Sequence, residues 1–157
     1  MATRGIGQLM INRYARTRGE RLFRADDGGY LMLQDSARGH FPVYLRPHDS
    51  SPDVVELCAR WSARLAHAER IRLLELVNRF NDRNQWLTAS VRDTNDASAP
   101  TVVGNNRFCI TDEVDFGAFA RFVDLSLASA TKLFEGVYAE IKLPPSDDIE
   151  RRFQISA

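Results

Sequence analysis

The chain has 157 residues, a length for one domain that buries roughly 70% of its unfolded surface, so neither a disulfide nor a metal is needed to hold it. Its 21 Lys and Arg balance 21 Asp and Glu, which leaves no global field for nucleic acid or acidic lipid. No run approaches about eighteen apolar residues, and MATRGIGQLMINRYARTRG holds no signal-peptide core, so the expectation is a soluble cytoplasmic protein without membrane association. Cys58 and Cys109 are the only cysteines. Both are expected as buried, reduced thiols, and the absence of C-x-x-C removes support for a structural zinc site.

In chain order, Ile6, Leu9, Met10 and Tyr14 recur at helical spacing, with Gly19 as a stop. Arg4, Arg13, Arg16, Arg18, Arg21 and Arg24 are opposed by Glu20 alone before Asp26. That excess reads as a solvated helix face, with an acidic partner as the sharper alternative. Two short apolar runs flank Asp26-Asp27-Gly28-Gly29, whose tolerance of positive φ signals a hairpin. HFPVYLRP reads as a strand that starts near Pro42 and ends at Pro47.

Residues 53 to 65, DVVELCARWSARL, fit two patterns. Val55, Leu57, Ala59, Trp61, Ala63 and Leu65 alternate as in a half-buried strand. Val54, Leu57, Cys58, Trp61 and Leu65 fit one face of a helix, for which Ser51-Pro52-Asp53 is a good cap. Local pattern does not choose between them.

A helix is expected from Ala68 to about Asn84, with Ile71, Leu74 and Val77 on one face, flanked by Leu73, Leu76 and Phe80. Continuing that stripe brings Asn78 and Asn81 to the same side, where an unpaired buried amide costs on the order of 1–3 kcal/mol. Each amide both donates and accepts, so Asn78, Asn81 and Asn84 read as a structural clamp where the helix gives way to a strand. Asn84, nearest the terminus, suits a left-handed conformation. QWLTASVR and TVVGNNRFCIT are two further strands around the polar loop DTNDASAP.

Asp115 can N-cap a last helix from Phe116 to about Ile141. Phe116, Phe119, Val123, Leu127, Ala130, Phe134, Val137 and Ile141 make its stripe, and Phe122, Leu125 and Leu133 widen it beyond what one core face needs. The expected domain is 1–141. The tail KLPPSDDIERRFQISA, residues 142–157, opens on a helix-ending proline pair and is expected to be mobile.

Motifs for chemistry are few. His40, His48 and His67 lie on separate elements without the spacing of a helical metal site. DTND opens like a calcium loop, but Ala97, Ser98 and Gly104 stand at its fifth, sixth and twelfth positions and defeat it. RGIGQ lacks the preceding strand and third glycine of a dinucleotide fingerprint, and neither a phosphate-binding G-x-x-x-x-G-K nor a G-x-S-x-G elbow occurs. No cofactor and no catalytic residues are expected.

The run VVELCARWSARLAHAERIRLLELVNRFNDRNQWLTASVR, followed by a second strand and a long phenylalanine-rich helix, resembles the YbjN family of bacterial sensory-transduction regulators. The features that carry it are the N-x-x-N pair of Asn78 and Asn81, Trp86 leading into the next strand, and Trp61, over residues 20 to 141 and more weakly the first helix. TDEVDFGAFARF departs from it in lacking the usual Gly-Val turn. The resemblance implies an α+β fold like class I type III secretion chaperones. Its order is helix, three strands, helix, two strands, helix, with an antiparallel sheet of about five strands covered by helices. It makes residues 54 to 63 a strand. It also implies a homodimer built through the central helix, with Ile71, Leu74, Leu76 and Phe80 as candidate contacts.

The leading expectation is therefore a non-catalytic protein-binding module, a chaperone-like or regulatory adaptor with a protein client or regulator as partner. Phe122, Leu125 and Leu133 would take an apolar segment if exposed, and a sheet edge would offer strand addition. The alternative is a small-ligand or enzymatic site near Asn78, Asn81 and Trp86. Nucleic-acid binding through the N-terminal arginines is the weakest reading.

Overall fold

The computed structural model describes residues 5–18, 22–37, 39–61, 65–93, 99–111 and 113–141. Helix α1 (Ile6–Arg18) precedes four strands, β1 (Leu22–Arg24), β2 (Tyr30–Ser36), β3 (Gly39–His48) and β4 (Ser51–Arg60). A 3-10 turn at His67–Glu69 opens α2 (Arg70–Arg83), and β5 (Thr88–Asp93), β6 (Pro100–Cys109) and α3 (Phe116–Ile141) follow. The strands form one six-stranded antiparallel sheet in the order β1-β2-β3-β4-β6-β5. The architecture is α+β, with four strands before the central helix where the resemblance implies three. The added strand is β1, which the hairpin folds onto β2. Gly28 takes φ 86°, and Asp27 Oδ1 accepts the Gly29 N–H at 2.9 Å. Residues 142–157 and residues 94–98 of the polar loop lie outside the described residues.

The segment with two readings is a strand because of its place in the sheet. β4 pairs with β3 on one side and β6 on the other, so both rows of its backbone groups have partners that a helix there would leave bare. Its odd positions, Val55, Leu57 and Ala59, are fully buried, as are Val43 and nearly Phe41 and Leu45 on β3.

All three helices pack on this inner face. α3 crosses its middle, capped by Asp115, whose Oδ1 accepts the Ala118 N–H at 2.7 Å. Its Phe134 meets Phe41 at 4.6 Å and Trp61 at 5.1 Å between ring centroids, and Tyr138 meets Trp61 at 4.4 Å. Tyr14 joins α1 to α3. Its hydroxyl donates to Asp124 Oδ1 at 2.6 Å and accepts from Arg18 Nε at 2.9 Å. Burial and the bond to Asp124 push its pKa upward, so it remains a neutral donor. No described helix is long and apolar enough to cross a membrane.

The two thiols are free but not buried as expected: Cys58 is half-buried and Cys109 exposed. They occupy even and odd strand positions whose side chains point away from the helices, where the pleat sends every second residue.

α3 lies close to β6 because Gly104 has no side chain. A Cβ there would collide with Leu87 and stand 3.3 Å from Leu133 Cδ2. Gly104→Ala is therefore expected to destabilise the fold by about 1–3 kcal/mol through overpacking, seen as a lower urea midpoint at unchanged slope.

Candidate partner-binding face

The three asparagines part company in the structure. Asn81 Oδ1 accepts the Ala89 N–H at 2.8 Å and its Nδ2 donates to the Ala89 carbonyl at 3.0 Å. Ala89 sits on β5, an edge of the sheet, and these are the backbone groups it turns away from β6. One amide thus closes the edge as a neighbouring strand would. Asn84 Nδ2 donates to the Phe80 carbonyl at 2.8 Å, satisfying an orphan acceptor of the last helical turn. Its backbone is extended (φ −127°, ψ 132°), not left-handed, because the chain passes straight from the helix toward β5. Asn78 is exposed. The stripe that was to carry it inward, Ile71 and Leu74, faces outward at 73% and 40% exposure, while Leu73, Leu76 and Val77 form the buried face.

That rotation also divides the four candidate dimer residues. Ile71 and Leu74 are exposed, Leu76 is buried, and Phe80 is half-buried against the core. Of the three α3 residues expected to form a groove, Phe122 and Leu133 are buried and Leu125 is half-buried. Phe122 and Leu133 are 3% and 1% exposed, and Phe122 stacks on Phe108 at 4.6 Å. The stripe is wide because α3 touches the sheet on one side and both other helices on its flanks. Strand addition is also poorly served. β1 is three residues long, and α2 lies along β5, held there by Asn81 and by the ion pair of Arg70 with Asp93.

Trp86 is 41% exposed, and its carbonyl is fixed by Asn106 Nδ2 at 2.6 Å and Ser126 Oγ at 3.2 Å. A depression of about 210 Å³ between α2 and α3 includes Asn84 on its wall but not Asn78, Asn81 or Trp86.

A larger depression, about 380 Å³, lies on the face of the sheet opposite the helices. The register builds it in rows. Leu31, Tyr44, Cys58, Asn105 and Thr88 stand side by side across five strands. On one side runs Arg46, Glu56 and Arg107, and on the other Arg60 pairs with Val103. An antiparallel sheet with one covered face normally turns a polar face to water. Here Leu31, Pro42, Tyr44 and Cys58 line the depression, and no described element packs over them.

The charges are unevenly matched. Glu56 takes Arg46 at 3.3 Å through one oxygen and Arg107 at 3.4 Å through the other. Burial lowers the Arg46 pKa, but its bond to Glu56 and the charges of Asp49, Glu56 and Asp27 raise it further, so it stays a cation. Arg60 and Arg92 line the same depression and pair with no described carboxylate. No histidine stands beside Cys58 among the lining residues to activate its thiol. This arrangement can bind but holds no nucleophile and base pair. Among the described residues, no group of three or more His, Cys, Asp or Glu could hold a metal.

Sequence reasoning missed this face. One signal was present: Phe41 to Leu45 is an unbroken apolar run, more than a strand with one wet face requires.

From the hydrogen bonds, Asn81→Ala is expected to lower unfolding free energy by about 2 kcal/mol, Asn84→Ala by about 1 and Asn78→Ala by no more than about 0.5, in parallel urea titrations.

The profile of the YbjN family, described as "Putative bacterial sensory transduction regulator", matches residues 10–139. Curated proteins provide no match. Among solved structures the chain is similar to that of YbjN from E. coli, with a TM-score of 0.68 at 16% identity, covering 85% of this chain and 93% of that one. At this identity the likeness is one of fold. The family profile spans most of the chain, and the helix-covered antiparallel sheet is shared with the E. coli structure, so the chain belongs to the YbjN family.

Proposed function

We propose that the chain is a non-catalytic regulatory adaptor of the bacterial cytoplasm, which receives a protein partner on the open face of its sheet. The observation that carries this reading is the row of Leu31, Tyr44 and Cys58 on a face that no described element covers. Half-exposed apolar surface of this kind, rimmed by charge, is characteristic of interaction sites. Membership of a family of bacterial sensory-transduction regulators supports a regulatory role over a catalytic one. The asparagines are read as structural, since Asn81 and Asn84 use their amides on backbone groups. A ligand site near Asn78, Asn81 and Trp86 has correspondingly little to work with.

The test is a tagged pull-down from nuclease-treated native lysate, with wild type beside Tyr44→Glu. The expected result is one near-stoichiometric protein retained by wild type and lost by the variant at unchanged urea midpoint. Equal retention by both would move the partner off this face.

The same reading includes a homodimer, for which the exposed Ile71 and Leu74 supply apolar contact on α2. Ile71→Glu with Leu74→Glu is expected to turn a dimer into a monomer in sedimentation equilibrium. A wild-type chain that sediments as a monomer at high micromolar concentration would remove the dimer from the reading.

A further inference from the structure

The open face is polarised, and its polarity describes its partner. At one side Glu56 pairs with both Arg46 and Arg107, and Asp27 lies 3.9 Å from Arg46, so two carboxylates balance two guanidiniums. At the other, Arg60 and Arg92 converge on the depression without a described counter-charge. Arg60 is the register partner of Val103, Val103 that of Ser90, and Arg92 follows two residues along β5. Strand spacing and rise put the two arginine Cα atoms about 12 Å apart, within joint reach of one acidic segment. The guanidinium fork suits a carboxylate, with two parallel hydrogen bonds. Immediately beside the arginines lie Pro42, Tyr44, Cys58 and Leu31.

From this we infer that the face binds a segment of a partner protein in which acidic residues flank an apolar side chain. The carboxylates meet Arg60 and Arg92, and the apolar group enters the depression over Tyr44 and Cys58. The inference rests on the adaptor reading and adds the chemistry of the partner. A nucleic acid suits the face less. Among the described residues lining the depression Tyr44 is the one aromatic, where single-strand binders stack successive bases on several. The chain's own residues 142–157 suit it less as well, since Lys142, Arg151 and Arg152 offset Asp147, Asp148 and Glu150.

The test uses the 157-residue chain carrying Cys109→Ser, which leaves Cys58 as its single thiol. The probes are three fluorescein-labelled synthetic peptides of the same length, alternating Leu with Glu, Gln or Lys. Binding is read by anisotropy, and occupancy of the face by the rate at which iodoacetamide alkylates Cys58. The Glu–Leu peptide is expected to bind, with affinity falling as salt rises, and to slow alkylation about tenfold at saturation. Arg60→Gln with Arg92→Gln should weaken it about tenfold or more at unchanged urea midpoint. Arg60→Glu with Arg92→Glu should transfer preference to the Lys–Leu peptide, which a merely misfolded variant would not do.

No Glu–Leu binding up to about 1 mM, or binding that leaves Cys58 alkylation unchanged, would overturn the inference. So would tighter binding of a single-stranded oligonucleotide that protects Cys58. Faster Cys58 alkylation in Asp147→Asn, Asp148→Asn, Glu150→Gln would assign the face to the chain's own C-terminal segment instead. If the peptides fail while Tyr44→Glu still loses its lysate partner, the face stands and the acidic chemistry falls. If both fail, the adaptor reading of this face falls with it.

Discussion

The contact on which the fold depends is the direct seating of α3 on the inner face of the sheet. Gly104 lets the helix approach β6, so that Leu133 reaches the strand while Phe134 enters the space between Phe41 and Trp61. An antiparallel sheet of this width needs a hydrophobic lid on at least one face, because its alternate residues cannot otherwise leave water. α3 supplies the middle of that lid, with Phe119, Leu127, Ala130, Phe134 and Val137 all buried. α1 and α2 then flank it, one tied by Tyr14 to Asp124 and the other by Arg79 to Glu140. With the helices on one face, no described element covers the opposite face.

The edges of the sheet are managed by different means. β1 is too short to template another strand, and β5 is flanked by α2, whose Asn81 takes the place of a neighbouring strand at Ala89. On the adaptor reading proposed above, these two devices favour the broad open face over an edge as the surface for a partner. The distinction matters for mechanism. Edge addition reads backbone and so tolerates many sequences, whereas a face reads side chains and can select by charge.

On that face the balance of charge is local. The net charge of the whole chain is zero, yet in one depression Arg60 and Arg92 pair with no described carboxylate, while Glu56 on its opposite side is engaged by Arg46 and Arg107. Composition therefore argues against a global electrostatic partner, but it cannot see a field created by strand register. The N-terminal arginine excess is partly absorbed in the fold. Arg13 lies over the Phe116 ring at 4.1 Å, and Arg18 bonds Tyr14.

Much of the architecture was legible in the chain. Apolar spacing defined α1, α2 and α3, the Asp26–Gly29 turn defined a hairpin, and Asp115 marked the start of the last helix. These signals are local, made by residues within a turn or two of one another. Local pattern could not choose between strand and helix for residues 53 to 65, and only the resemblance made 54 to 63 a strand, since the choice depends on β3 and β6 standing on either side. Nor could it orient α2, where Ile71 and Leu74 match a core stripe as well as Leu73, Leu76 and Val77 do. Helical period gives a face but not its direction. The candidate site was hidden for the same reason. Leu31, Tyr44, Cys58 and Asn105 are 13 or more residues apart in sequence and become neighbours only through pairing across the sheet. The sequence by itself determined the elements, because hydrophobic period and turn chemistry act within them. Tertiary structure alone decided which faces meet and which surface stays open, because those depend on strand register and on where the helices come to rest.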